Sequence, residues 1–355
     1  MNYRRQGERQ FHVDRRTRIL RDHPEVRDLF GNNPYTAFAV IGVVIFQTIL
    51  AFWAAERSFP ILLGLAFIVG AVLNHATFVL VHECVHQLVF RSRAANALLM
   101  LFSNLPFAVP TAGSFRKYHL HHHRNLGDEA WDADVPAPWE ARMVSNSSWR
   151  KTVWLLFFPL FYGLRPLNHP NIRLWDRLTV ANLVLQILYV GALLYLSGGY
   201  AILYLGLSSM FAIGMHPLGG RWFQEHFELT PGQESNSYYG PANLISFNVG
   251  YHVEHHDLAC IPWNRLPRLH RIAREHYDPL VPVCSWTGAV LRFIFDPCLS
   301  LYSRVLRSEA PAGIKDPANP RGKDPCQKGS LPARAKLLEY VRRLVNWNSQ
   351  ENKNP

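Results

Sequence analysis

The sequence predicts an all-α, multi-pass membrane protein in which four transmembrane helices form two hairpins beneath a cytoplasmic, histidine-rich helical cap. Three observations predict it. Long apolar runs come in closely spaced pairs, the segments outside the pairs are long and basic, and seventeen histidines in 355 residues include three tight clusters lying beyond the apolar runs.

The first pair comprises residues 35–55 (YTAFAVIGVVIFQTILAFWAA) and 61–81 (ILLGLAFIVGAVLNHATFVLV), joined by ERSFP. As helices of about 21 residues they are each about 31 Å long, enough to cross a bilayer. Residues 179–197 and 200–215 form the second pair, joined by Gly198 and Gly199. Two shorter runs, ALLMLFSNLPFAVP and VWLLFFPLFYGL, are too short or too interrupted by proline to span. They are expected to lie at the interface and to roof a channel that admits an apolar chain.

Charge orients the hairpins. The first 34 residues carry eight Arg against five acidic residues, whereas the two tight turns hold one Arg and one Glu between them. Both termini and all the histidine clusters are therefore expected on the cytoplasmic side. The first apolar run follows a long charged arm and is full length for a span, so no cleavable signal peptide is expected. Residues 1–34 read as a basic arm, 35–305 as the membrane domain, and 306–355 as a basic, largely disordered tail rich in Pro and Gly with an amphipathic helix at 332–347.

Five cysteines without C-x-x-C spacing argue against a disulfide framework or a zinc ribbon. Cys84 lies within a histidine cluster but on another helix face, which makes it a packing residue. The net charge of +11 comes with no nucleic-acid motif and fits anionic lipid head groups, so nucleic acid is not an expected partner.

The clusters carry the chemistry. Residues 82–86 read HECVH, 119–123 read HLHHH, and 251–257 read YHVEHHD. On helices, His82 and His86 stand at i and i+4, while His119, His122 and His123, and again His252, His255 and His256, stand at i, i+3 and i+4, so each set shares a face that can grip a metal ion. Chance enrichment would not reproduce one pattern twice. Because both loops between clusters enclose an even number of spans, all three reach the same side. Eight imidazoles exceed the needs of one zinc, which takes three or four ligands, so two metals are expected. Imidazole suits iron, copper, nickel and zinc alike. A two-metal centre beneath apolar helices suits a lipid-like substrate, and an unactivated chain offers no carbonyl to polarise, which favours redox chemistry with O2.

Several neighbours are candidates for orienting the ligands or contacting substrate. Glu83, Asp132, Asp134, Glu254 and Asp257 could accept the outer N–H of a ligand imidazole. His75 falls seven residues before His82, on the same helix face, and could touch a polar part of the substrate or bond within the protein.

These residues resemble the membrane fatty-acyl desaturase superfamily, with its three histidine boxes. The stretches DRRTRILRDHPEVRDLFG, LNHATFVLVHECVH, SFRKYHLHHHRNLGDEAWDADVP, HPLGGRWFQEH and SYYGPANLISFNVGYHVEHHDLACIPWNRLP are similar to those of sphingolipid delta-4 desaturases. The resemblance runs from about residue 11 to residue 305. It implies a non-haem di-iron enzyme that uses O2 and two electrons from a cytochrome b5, ferredoxin or reductase to remove two hydrogens from adjacent carbons of a sphingolipid or fatty-acyl chain. It also implies that iron is bound by His82, His86, His119, His122, His123, His252, His255 and His256, with a further ligand after the fourth span. His226 is the best match for that ligand and His216 the second, whereas the family spacing leaves out His121.

One departure stands out. Arg221 occupies a position where these desaturases usually carry His, and an Arg there cannot bind a metal but can receive a carboxylate or phosphate. The preference for 30 Arg over 7 Lys hints at a GC-rich bacterial gene, so a bacterial inner membrane stands beside the endoplasmic reticulum as the location. A fatty-acyl lipid or an amino-alcohol metabolite then joins sphingolipid as a candidate substrate.

Hydroxylation at the same centre is the nearest alternative reaction. A metal transporter would instead place ionisable ligands inside several spans, and a haem protein would need only one or two isolated axial histidines. A di-zinc lipid amide hydrolase would work without O2.

Overall fold

The computed structural model describes residues 3–6, 11–169 and 171–307. In chain order its helices are α1 (Phe11–Asp22), α2 (Thr36–Ala55), α3 (Phe59–Val85), α4 (Arg93–Ser103), α5 (Ala112–Arg124), α6 (Pro138–Val144) and α7 (Ser148–Leu164). They continue with α8 (Arg177–Ser197), α9 (Gly199–Ile213), α10 (Gly220–His226), α11 (His252–Asp257), α12 (Leu266–Ile272), α13 (Arg274–Tyr277) and α14 (Trp286–Phe295). The described sheet is one parallel pair, β1 (Arg4–Gln6) with β2 (Val305–Arg307).

The protein is thus mostly helical, as expected. Among the described residues α2, α3 and α8 are each long and apolar enough to cross a membrane, and counting two bent helix pairs as broken spans raises the number to five. The most apolar stretches of α2 and α8 are only 28% and 22% buried, against 56% for α3. Large side chains such as Phe38, Ile45, Ile49, Ile187 and Leu188 stand exposed on the first two, the pattern of helices meeting lipid around a central one.

Buried amides stitch these helices together. Gln47 on α2 donates to Asn74 on α3 at 3.0 Å, Asn74 donates to Ser209 on α9 at 2.9 Å, and Tyr204 on α9 donates back to Gln47 at 3.2 Å. In an apolar surround each bond satisfies a polar group that would otherwise stand unpaired, which fixes the helices' register.

Two breaks aim the chain at the site. Between α4 and α5 the axis turns by 114°. Asn104 organises the corner by accepting from Thr111 N and Ala112 N at 2.9 and 2.5 Å. The shorter run predicted at residues 97–110 is therefore the elbow that sends α5 toward the centre. The second break, 46°, follows α9, which ends at Ile213 rather than running to Met215. His216 caps the short 3-10 turn after it, its Nδ1 accepting from Leu218 N at 3.2 Å. Gly220 opens α10 against α14 so closely that a Cβ would lie 1.9 Å from Trp286 O, so only glycine fits there.

The N-terminal arm is packed rather than loose from α1 onward. Ile19, Val26 and Leu29 share a core with Val253, Leu258, Ile261 and Leu269, and so join the arm to the α11–α12 segment. The tail expected from residue 306 begins after a strand, because Leu306 and Arg307 pair with Arg5 and Gln6. The rest of that tail, with its amphipathic helix at 332–347, lies outside the described residues.

Candidate metal centre

The first box sits at the end of a long apolar helix. α3 runs unbroken from Phe59 to Val85, so His82 and His86 are carried on the end of its buried stem. Cys84 is buried and lies outside the histidine groups, a packing residue as expected. The second box occupies the last two turns of α5, and the third makes up most of α11.

The three boxes converge. His82, His86, His119, His123 and His255 bring one ring nitrogen each to within 4.8 Å of one another, and so do His122, His226 and His256 in a second group. The groups adjoin: the His123 and His256 rings stack at 4.1 Å. His252 Nε2 stands 2.9 Å from His226 Nε2 at the edge of the second group.

Each H-x-x-H-H box is divided between the groups, where a shared face had suggested one ion per box. In α5 the i and i+4 pair, His119 and His123, joins the first group and His122 the second. In α11 the pattern inverts: His255 joins the first group, and His256, with His252 one turn before it, lies with the second. Adjacent residues on a helix point about 100° apart, so an HH pair serves two neighbouring centres better than one.

The spacing of the nitrogens fits metal ligation. Nε2 atoms lie 2.9 Å apart in His86 and His119, 3.3 Å in His123 and His255, and 3.0 Å in His122 and His226. Ligands on metal–nitrogen bonds of about 2.1 Å stand roughly this far apart. His256 Nε2 is buried with no hydrogen-bond partner among the described residues, as suits a ligand atom. Burial also pushes the imidazoles of His252, His255 and His256 well below the ordinary histidine range, keeping them neutral and free to donate a lone pair.

Of the five carboxylates predicted to orient ligands, only Asp132 bonds to a box imidazole, Oδ1 lying 2.8 Å from His122 Nδ1. Its position is itself fixed, because Gly127 N donates to Oδ2 at 2.7 Å and Asp134 N to Oδ1 at 3.0 Å. The other four work elsewhere. Glu83 accepts from Trp263 N at 3.2 Å and stands 4.0 Å from His82 Nδ1, too far to bond. Asp134 receives Arg304 at 2.8 Å. Glu254 accepts from Ser237 and Tyr239 at 2.6 and 2.8 Å and meets His270 Nδ1 at 2.7 Å, which braces α11 from behind. Asp257 takes His12 Nδ1 at 2.7 Å and Arg15 at 3.1 Å. His75 contacts Ser246 at 3.3 Å, the structural role, and His216 joins neither group. His121 stacks on Trp131, away from the cluster.

Two residues beside the site escaped the sequence reading. His12, on α1, packs its ring 5.1 Å from that of His256. Glu225 stands 3.6 Å from His252 Nδ1, and its place inside QEH, next to His226, was the one available signal.

A cavity of about 40 Å³ adjoins the histidines. Phe78, Tyr162, Trp222, Phe247 and Trp263 supply much of its wall, and Arg221 adds the cation. The Arg221 guanidinium lies 4.2 Å from the Trp222 ring centre and 5.2 Å from that of Phe78. Its Nη1 donates to Glu225, while Nε and Nη2 are buried without hydrogen-bond partners among the described residues.

The model of the fatty acid desaturase family matches residues 58–288, and a sphingolipid delta-4 desaturase model matches residues 2–35. A sphingolipid delta(4)-desaturase of Drosophila melanogaster is 39% identical over 300 residues, 84% of this chain and 93% of its own length. A similarly named protein of Oryza sativa is 39% identical over 300 residues, covering 83% and 90%. A human sphingolipid delta(4)-desaturase/C4-monooxygenase is 39% identical over 299 residues, covering 83% and 92%.

Proposed function

The chain belongs to the fatty acid desaturase family of oxidoreductases, and from that premise we propose that it introduces a carbon–carbon double bond into the long-chain base of a sphingolipid at two irons held by its histidines. The observation that carries this reading is the pair of adjoining imidazole groups beside an aromatic cavity. His82, His86, His119, His123 and His255 would hold one iron; His122, His226 and His256, with His252 beside them, would hold the other. Such a centre, when bound, supplies the O2-dependent oxidising power for taking two hydrogens from adjacent methylenes. The balance is one O2, two electrons and two protons consumed, one double bond and two waters formed. A cytochrome b5, ferredoxin or reductase supplies the electrons.

The protein's own residues do the rest. Asp132 accepts the His122 Nδ1–H and so keeps Nε2 turned toward His226. Burial holds the α11 imidazoles neutral. The aromatic wall excludes water that would intercept the oxidant. Arg221 suits an oxygen of the substrate's head group, because two of its donors lack acceptors in a desolvated wall and a buried guanidinium gains from filling them.

Four spans with both termini and all boxes cytoplasmic, in a bacterial inner membrane or endoplasmic reticulum, complete the reading. Convergence of the boxes on one site supports an even number of crossings between them. Hydroxylation of the same substrate is the second reading, favoured by the monooxygenase activity in the human relative's name.

Mass spectrometry of lipids and polar metabolites tests it, in cells expressing the protein or His255→Ala and fed dihydroceramide, fatty acids or amino alcohols, with air and without. An oxygen-dependent loss of two mass units from the fed sphingolipid is expected. A gain of sixteen would establish hydroxylation instead, the same loss from a fatty acid or amino alcohol would move the substrate, and an unchanged profile would remove the reading.

A further inference from the structure

A third cluster of metal-ligating side chains lies at the junction of the N-terminal arm and α13, among residues with no part in the oxidation. His23, Glu275 and His276 bring one donor atom each to within 4.8 Å of one another. His23 Nε2 bonds to Glu275 Oε1, and His276 Nε2 lies 3.8 Å from that same oxygen and 3.5 Å from Asp22 Oδ2. The two imidazole planes cross at 88° with their centres 6.3 Å apart.

We propose that Asp22, His23, Glu275 and His276 form a structural binding site for a divalent transition ion of the zinc type, which clasps the N-terminal arm to α13.

Three features favour an ion over a plain ion-pair cluster. His276 Nε2 is buried and has no hydrogen-bond partner among the described residues, although two carboxylates face it just beyond bonding range. A shared cation between them accounts for that spacing. His23 Nδ1 stands 3.2 Å from Glu25 Oε1, so when an ion displaces the proton that Nε2 shares with Glu275, a donated Nδ1–H holds the ring with its Nε2 lone pair toward the ion, the usual carboxylate–histidine–metal arrangement. Two imidazoles and two carboxylates also make up the four N and O donors that zinc takes, at 2.0–2.2 Å each. Arg21 holds Asp22 through Nε and Nη2 at 2.7 and 3.1 Å, which leaves lone pairs on the carboxylate for the ion and orients it.

The clasp has a structural use. The same helix α1 that ends at Asp22 presents His12 and Arg15 to Asp257 in the third box. Securing the end of α1 to α13 holds that contact, and with it α11, from a site on the protein surface.

The experiment is a metal count by mass spectrometry on full-length protein purified in detergent and equilibrated with micromolar zinc, with cobalt(II) absorption as a second readout. The wild type should carry one ion more than His276→Ala and one more than Glu275→Gln, and cobalt should give visible ligand-field bands that both variants lack. Equal counts in wild type and both variants would overturn the proposal. The outcome is separable from the desaturase reading: His255→Ala should lose box metal and retain the clasp ion, and the clasp variants should show the reverse.

Discussion

His122 reaches two partners at once, Asp132 Oδ1 at 2.8 Å through Nδ1 and His226 Nε2 at 3.0 Å through Nε2. The first contact decides the tautomer and the second shows where the free nitrogen points. Asp132→Ala should therefore weaken metal binding at the second group about 10- to 100-fold while leaving the helical fold in place. Metal affinity by chelator competition, with circular dichroism as the control, checks this; unchanged affinity would mean that packing alone orients His122.

His226 and His216 lie ten residues apart but behave differently. His226→Ala should lose metal and activity as completely as His255→Ala. His216→Ala removes only a cap on a short turn, costing about 1 kcal/mol of stability, and should retain the full metal count. Metal analysis of the two variants side by side reads the difference.

Arg221 should matter for substrate rather than metal. Hydrogen bonds to a charged group contribute about 1.5–3 kcal/mol, so Arg221→Leu should raise KM about 10- to 100-fold for a sphingolipid with hydroxyl and amide groups. The effect should shrink for a substrate stripped of those groups. A uniform fall across substrates, or loss of metal, would instead make the arginine a structural member of the aromatic wall.

Chelation should lower the melting temperature, because an ion that binds only the folded protein stabilises it by mass action. Refilling with iron should restore stability and activity together. Zinc should restore stability alone, since it lacks the redox chemistry; oxygen-independent turnover with zinc would revive a hydrolase.

Asp257 is fully buried and holds both His12 and Arg15. Asp257→Ala leaves Arg15 buried without its carboxylate, a change that typically costs about 3–5 kcal/mol. Thermal unfolding should show that loss, and Arg15→Met combined with Asp257→Leu should recover much of it.

What the sequence alone determined was local. Runs of apolar residues set the helices that meet lipid, and the i, i+3, i+4 spacing set which histidines share a helix, because both depend only on the pitch of one element. The three boxes were legible as clusters on the second of those grounds, and His226 was pointed to through the family resemblance alone. Tertiary structure decided what each helix face meets. It divided every H-x-x-H-H box between two groups, gave His122 its Asp132, and turned Glu254 and Asp257 outward to His270 and to His12 and Arg15. It also made His216 a cap and brought His12 beside His256 across 244 positions of chain. Spacing within one helix carries no information about the neighbour across a packed interface, and the partners of a buried charge are drawn from whatever that packing brings near.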